Sequence, residues 1–588
     1  MSHPGLCSRR QLLAAGAAPV LSAWNQPRRA RRPNIVAILA DDQGWGDLSV
    51  HGNTNLATPH IDSLARDGVL FERFYVCAVC APTRAEFLTG RYHARGGVRG
   101  VTTGAERLNL DETTIADTYK AAGYRTAAFG KWHNGSQHPY HPNARGFDEY
   151  YGFTSGHWGQ YFDPELDHNG KLVRGKGFII DDLTNHALDF IGANRDRPFF
   201  SYLAFNTPHA PMQVPDSFYR RFASRELAMR HHGPQDEDMA MTRAALAMCE
   251  NIDWNVGRVL AKLDELKIAG DTIVFYFSDN GPNSWRWNGG MKGRKGSVDE
   301  GGLRVPFLIR WPGHIRPRAR IPQIAGAIDL LPTLAAMAGV PLVSKKPLDG
   351  ISLQPLLEGQ AGNWPDRMIF SLQGKRISVR TRQYRLDADG RLFDIAADPG
   401  QQRDVAGERP EAAARLRKAA AEWAKEVLPN VGPDDRPFPV GYSRTTLLPA
   451  RDGVPGGGIQ RSAKPPNCSF FTNWTSVEDG MTWDIEVAKA GEYAADIYYT
   501  CARQDVGSMV ELSFLGSTVQ GKIAEAHDPP LIGAQEDRVP RGESYVKDFR
   551  PLRLGVIPLK KGRGKLALRA LAVAGKQVAD IRYVALTL

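Results

Sequence analysis

Nearly unbroken apolar runs at 34–40, 124–129, 198–205, 272–277 and 305–309 alternate with helix-length amphipathic stretches from residue 33 to about residue 429. Apolar residues at consecutive positions, rather than at every second one, predict strands buried on both faces. Their alternation with helices predicts an α/β fold, a large mixed and mostly parallel sheet flanked by helices. Helices are predicted over 58–67, 113–122, 180–194 and 239–266; in the last, Ile252, Val256, Val259 and Leu263 recur at helical spacing. Short runs at 376–386 and 391–395, followed by an Ala-rich helix over 410–427, predict a small C-terminal antiparallel α+β subdomain. The Gly/Pro-rich passage 449–466 reads as a linker. Beyond it the apolar period falls to two, as in Trp483, Ile485 and Val487 or Tyr493, Ala495 and Ile497, which predicts an all-β sandwich module.

The expected organisation is therefore an export signal and basic linker over 1–32, a catalytic α/β domain over 33–353, the smaller subdomain over 354–448, the linker over 449–466 and the sandwich over 467–588. The leader carries Ser8-Arg9-Arg10-Gln11-Leu12-Leu13, similar to a twin-arginine signal, then a modest apolar run that is too short for a membrane span. That predicts an exported protein, periplasmic or extracellular, with no membrane span.

Composition adds a core but no class: apolar residues are 42% and charged residues 23% of 588. The formal charge of +10 falls to +4 once Arg9, Arg10, Arg28, Arg29, Arg31 and Arg32 are set aside, so basicity gives no support for a nucleic-acid partner. Six cysteines are too few for a disulfide scaffold. Cys77 and Cys80 form a C-x-x-C with no second pair to complete a zinc set. Cys468 and Cys501 are either a disulfide or two buried thiols.

Four predicted strands end in polar residues able to act together, as expected where parallel strands stop and the chain turns outward. They lead into Asp41-Asp42, Gly130-Lys131-Trp132-His133, Asn206-Thr207-Pro208-His209 and Ser278-Asp279-Asn280-Gly281. Asp41, Asp42, Asp279 and Asn280 offer oxygens only, a set suited to Ca²⁺ and less to Mg²⁺. Taken one at a time, the same residues also read as a cap and a turn. Cys80 opens a predicted helix, with Pro82 in its first turn and Gly90 at its end. A group there faces backbone N–H donors that favour developing negative charge.

Cys80-Ala81-Pro82-Thr83-Arg84 with Leu88-Thr89-Gly90-Arg91 resembles the signature of the formylglycine-dependent (type I) sulfatases of the alkaline-phosphatase superfamily. The stretches around Asp41, Lys131, His209, Asp279 and Lys295, then Glu300-Gly301-Gly302 and Leu392-Phe393-Asp394, match in order, so the resemblance covers about residues 33–430. Thr83 stands where the family usually has serine. The resemblance implies an alkaline-phosphatase-like fold, a sulfuric ester hydrolase of the arylsulfatase type, and formylglycine formed from Cys80 by a maturation enzyme.

It further implies a mechanism. One hydroxyl of the hydrated aldehyde attacks the sulfur and displaces the alcohol; the other then loses a proton, expels sulfate and restores the aldehyde. Ca²⁺ held by Asp41, Asp42, Asp279 and Asn280 would bind a sulfate oxygen. Arg84 and Lys131 would hold the diol, His133 would be the base for elimination, and His209 and Lys295 would bind sulfate and protonate the leaving oxygen. Ser155 and His157 are candidates for a further polar contact. Trp285 and Trp287, near Lys295, would suit stacking on sugar rings or equally be packing residues. The expected substrate is a sulfated carbohydrate. Alternatives are a phosphate or phosphonate ester hydrolase on the same scaffold and a non-catalytic sulfated-glycan-binding relative.

Overall fold

A computed structural model describes residues 32–588; the export signal expected over 1–32 lies outside the described residues, save for Arg32. The main sheet has eleven strands. At its centre Thr272–Ser278, Asn34–Ala40, Phe199–Ala204, Arg125–Lys131 and Glu149–Phe153 lie side by side and parallel. Antiparallel pairs flank this block on both sides, through Phe307–Arg310 on one and Glu165–His168 with Lys171–Arg174 on the other.

All seven residues of Asn34–Ala40 are buried, because helices cover both faces of the sheet. Ile35, Ala37 and Leu39 point to one side, packing with Phe87, Leu88, Tyr119 and Leu331. Val36, Ile38 and Ala40 point to the other, with Leu183, Phe190, Ile252 and Val256. That two-sided burial produces the continuous apolar run.

Register aligns the strand ends. Ala40 pairs with Ser278, Leu39 with Ala204, and Ala204 with Gly130. Asp41, Asp279, Asn206 and Lys131 therefore emerge along one edge. Gly130 is needed for this alignment: it sits at φ +117°, and a Cβ there would lie 2.0 Å from the Ala204 carbonyl oxygen.

Several expected bounds change. The run at 305–309 is broken by Pro306 into Arg304–Val305 and Phe307–Arg310, which pair antiparallel with Val69–Tyr75. Proline cannot donate to a ladder, which accounts for the break. The run at 376–386 is two strands, Arg376–Arg380 and Tyr384–Leu386, in a four-stranded sheet with Ile369–Gln373 and Leu392–Asp394. Val379, Leu386 and Leu392 of that sheet pack on Ala413 and Leu416 of the helix Pro410–Val427.

The C-terminal part holds two six-stranded sheets around Trp474, Trp483, Ile485, Tyr493 and Ile497. The stretch expected as a linker over 449–466 belongs to it instead. Thr445–Pro449 pairs with Asp580–Thr587, Val454–Gly456 with Gly480–Val487, and Gln460–Arg461 with Phe471–Thr472. Glycine and proline there mark short edge strands and tight turns, which composition alone does not separate from a flexible tether. Cys468 and Cys501 are both free thiols. Among the described residues no helix is long and apolar enough to cross a membrane.

Candidate functional site

Cys80 is the first residue of the helix Cys80–Thr89, every residue of which is buried. The helix closes at Gly90, whose backbone is left-handed at φ +67°. The Cys80 thiol donates to Asp41 Oδ1 at 3.5 Å. Burial pushes this thiol up to about 12, so at neutral pH the unmodified side chain is a protonated thiol and not a thiolate nucleophile.

Around it the four strand ends converge. Lys131 Nζ lies 2.6 Å from Asp41 Oδ2. Arg84 donates from Nη2 and Nε to Asp279 Oδ2 at 2.8 and 3.2 Å, and from Nη1 to the Lys131 carbonyl at 2.8 Å. Lys295 Nζ lies 2.6 Å from Asp42 Oδ1. Asn280 Nδ2 donates to Asp42 Oδ1 at 2.8 Å, and the Asp42 backbone N–H donates to Asp279 Oδ1 at 3.1 Å. Asp42 takes a left-handed backbone at φ +66°, unusual for a residue with a side chain, which turns the chain sharply after the strand.

Burial opposes ionisation of these carboxylates, and the neighbouring cations decide the outcome. Burial alone would raise Asp41, but Lys131, His209, Arg84 and Lys295 hold it well below the usual carboxylate range. Asp42 is lowered against its burial by Lys295 and His209. Asp279 is pushed up to about 7 by burial and by Asp41, more than Arg84 offsets.

The donor set fits a hard divalent cation. Asp41, Asp42 and Asp279 supply carboxylate oxygens, and Asn280 Oδ1 is buried without a hydrogen-bond partner. Asp41 and Asp42 also come together with Cys80 and His209, their ligand atoms within 4.8 Å of one another. An oxygen-rich cage suits Ca²⁺ or Mg²⁺ rather than a softer metal.

The histidines are fixed by backbone carbonyls. His133 Nε2 lies 2.7 Å from the Val101 carbonyl and so carries the proton, while Nδ1 is buried and unpartnered. Burial and Lys131 hold His133 well below its ordinary value, so the ring is neutral with a lone pair on Nδ1. His209 Nδ1 donates to the Ala210 carbonyl at 2.6 Å, leaving Nε2 3.7 Å from Asp42 Oδ2. Nε2 becomes a donor only when the ring is protonated, which burial and Lys295 oppose.

Of the sequence candidates for substrate contact, His157 lies beside the centre, its ring parallel to that of His209 with centroids 6.0 Å apart. Ser155 Oγ is directed at Asn467 Oδ1, 3.4 Å away. Trp285 is stacked on His231 and Trp287 is tilted against Trp45, on the Lys295 side.

The sequence assigns no contact to three further residues. Thr83 Oγ1 accepts from the Cys77 N–H at 2.8 Å and donates to the Asp279 carbonyl at 2.6 Å, bracing the turn before Cys80 against the strand end that carries Asp279. Asn206, at the end of the middle parallel strand, has both side-chain polar atoms buried and unpartnered; its strand-end position was the available signal. Asn467 comes from the C-terminal part and accepts from Thr102 Oγ1 at 3.2 Å. A Cβ on Gly156 would lie 2.5 Å from Asn467 Nδ2 and 2.6 Å from His133 Nε2, so Asn467 reaches the neighbourhood of His133. Nothing in the local sequence of Asn467 signals this.

Comparison with known proteins gives the same picture. The family model described as Sulfatase matches residues 33–340, and the one described as N-sulphoglucosamine sulphohydrolase, C-terminal, matches residues 294–421. The N-acetylgalactosamine-6-sulfatase of Mus musculus is 34% identical over 418 residues, covering 64% of this chain and 75% of the relative. Arylsulfatase A of Homo sapiens is 32% identical over 464 residues, covering 66% and 87%. The crystal structure of Ps i-CgsB in complex with k-i-k-neocarrahexaose is similar with a TM-score of 0.61 at 30% identity, covering 68% of this chain and 94% of that one.

Proposed function

The chain belongs to the sulfatase family and is a sulfuric ester hydrolase; from that premise we propose that it removes sulfate from a sulfated carbohydrate, using formylglycine made from Cys80 beside a bound calcium ion. The observation that carries this reading is the position of Cys80. Its Sγ stands at a buried helix N-terminus, 3.5 Å from Asp41, inside a cage of Asp41, Asp42, Asp279 and Asn280 edged by Arg84, Lys131 and Lys295.

Asp41, Asp42, Asp279 and Asn280 would hold the calcium, which when bound supplies positive charge for a sulfate oxygen and acidifies a nearby hydroxyl. The modified side chain supplies a hydrated aldehyde, with one hydroxyl to form a bond to sulfur and a second to release it. Arg84 is locked between Asp279 and the Lys131 carbonyl and fixes the carboxylate it touches. Lys131 holds Asp41, the carboxylate that the Cys80 thiol touches, and would offset negative charge developing at position 80. His133 has the unpartnered Nδ1 lone pair that can take a proton from the second hydroxyl. Lys295 is held above its ordinary value by Asp42 despite burial, and so stays charged beside the sulfate, where it offsets negative charge on the departing oxygen. His209 Nε2 faces the same region.

The carbohydrate substrate class is supported by relatives and neighbours whose names or bound molecules are sugars. Export to the periplasm or outside the cell belongs to the same proposal and rests on the Arg9-Arg10 leader. The test is sulfate release from a panel of sulfated glycans and an aryl sulfate, set against matched phosphate esters. Preference for sulfate supports the reading, and a strong preference for phosphate overturns it.

A further inference from the structure

Beside Lys295 lies a basin of about 700 Å³, lined among others by Arg230, His231, Trp285, Lys292, Arg294 and Lys295. Its position matters because Lys295 belongs to both sites: it lines the basin and lies 2.6 Å from Asp42 in the cation cage. A group bound in the basin is therefore adjacent to a sulfate held at the centre.

The wall of this basin is built to present positive charge. Trp285 carries the His231 ring stacked at a 5.1 Å centroid distance, and Arg294 Cζ lies 5.1 Å from the Trp285 centroid. Arg294 Nη1 donates to the Asn283 carbonyl at 2.6 Å, fixing the plane of the guanidinium. Among the described residues the partners of Arg294 are the Asn283 carbonyl and the Trp285 ring, with no carboxylate within ion-pair distance. Lys292 lies 3.8 Å from Asp299, a carboxylate that also lines the basin, and 5.8 Å from the centroid of the Phe393 ring, while Arg230 is already paired with Glu237. Lys292 and Arg294 are half-buried rather than fully solvated. A clamped, uncompensated guanidinium beside an ammonium is suited to an anion with several oxygens, such as a sulfate or carboxylate group.

With His231 on Trp285 and Arg294 beside it, the indole acts as a platform for the guanidinium. Recognition here rests on charge more than on sugar stacking. We infer that this basin binds a second anionic group, on the saccharide unit next to the one losing its sulfate, so that the preferred substrate is a polyanionic glycan. This inference rests on the carbohydrate reading above, and it names the substrate class more narrowly.

The experiment uses two galactose disaccharides, one with a single sulfate and one with a second sulfate on the neighbouring ring. Binding is followed by titration calorimetry and sulfate release in parallel, with the full chain and its K292Q, R294Q and doubly substituted forms. The disulfated sugar is expected to bind the wild type about tenfold tighter, a margin that should shrink on raising salt well above ~0.1 M. The margin should collapse in the double variant, and R294K should restore part of it, since charge is kept and the fork is lost. Equal binding of the two sugars by the wild type, no measurable binding of either, or a margin unchanged in the double variant would each overturn the inference. A wild-type margin that collapses in the double variant, with no sulfate release from either sugar, would support the basin while counting against the carbohydrate sulfatase reading, so the two failures are distinct.

Discussion

Arg84 reaches Asp279 with two nitrogens, 2.8 and 3.2 Å from the same carboxylate oxygen, and neither side chain is exposed to solvent. The pair links the helix that begins at Cys80 to the strand that ends at Ser278, so it sets the distance between Cys80 and the cluster of Asp41, Asp42 and Asp279. A buried ion pair of this kind tolerates the loss of neither partner, and a lysine at position 84 keeps the charge without the fork. R84K should lower kcat for sulfate ester hydrolysis by roughly 10²–10³-fold. Wild-type kinetics in R84K would show that the geometry at Asp279 is not needed.

Thr83 separates two close variants. Its hydroxyl satisfies the Cys77 N–H and the Asp279 carbonyl, both buried. T83S keeps both bonds and should match the wild type in activity. T83A leaves two buried backbone groups unpaired, at a cost of about 1–3 kcal/mol each, readable as a lower urea midpoint. Equal stability of T83A and T83S would mean that the hydroxyl carries no structural role.

Cation binding should appear as stabilisation before it appears as catalysis. Calcium at about 100 times its dissociation constant should add about 2.7 kcal/mol and raise the thermal midpoint, and chelation should reverse the rise. D42N removes one of three carboxylates in the cage and should weaken this response strongly, while also freeing Lys295 from its partner. A midpoint indifferent to calcium in the wild type contradicts the cage assignment.

Glu86 gives a pH prediction away from the reaction centre. It lies buried on the Cys80 helix, accepting from the His93 N–H at 3.2 Å, and burial pushes its carboxyl up to about 8 from 4.5. The raised folded value means that the buried acid is favourable below about pH 4.5, and that this stability is lost as pH rises through about 8. E86Q mimics the protonated form. Its urea midpoint should match the wild type near the acid end and exceed it above about pH 8. Parallel pH profiles for the two proteins would show that Glu86 is not strained by ionisation.

Much of the fold was legible because two-sided burial leaves a plain mark. The runs at 34–40 and 272–277 correspond to Asn34–Ala40 and Thr272–Ser278 almost residue for residue. Val69–Tyr75 and Glu149–Phe153 escaped, since Glu72 and Arg73 interrupt the first and Glu149 with Gly152 dilutes the second. The passage 449–466 misled for a physical reason: short edge strands and loose tethers share a composition. The coming together of Asp41, Lys131, His209 and Asp279 could be anticipated from strand ends, because parallel register fixes where they emerge. Asn467 could not, since its approach to Gly156 and His133 depends on how the C-terminal sheets pack against the main sheet.

The central claim is that chemistry at position 80 cleaves the S–O bond. The most direct measurement is sulfate release from an aryl sulfate by fully matured wild type and by C80A, with thermal midpoints compared in calcium. The account predicts sulfate release by the wild type, loss of it in C80A, and similar midpoints for the two, because alanine suits the first turn of a buried helix. Sulfate release by C80A at the wild-type rate would contradict it.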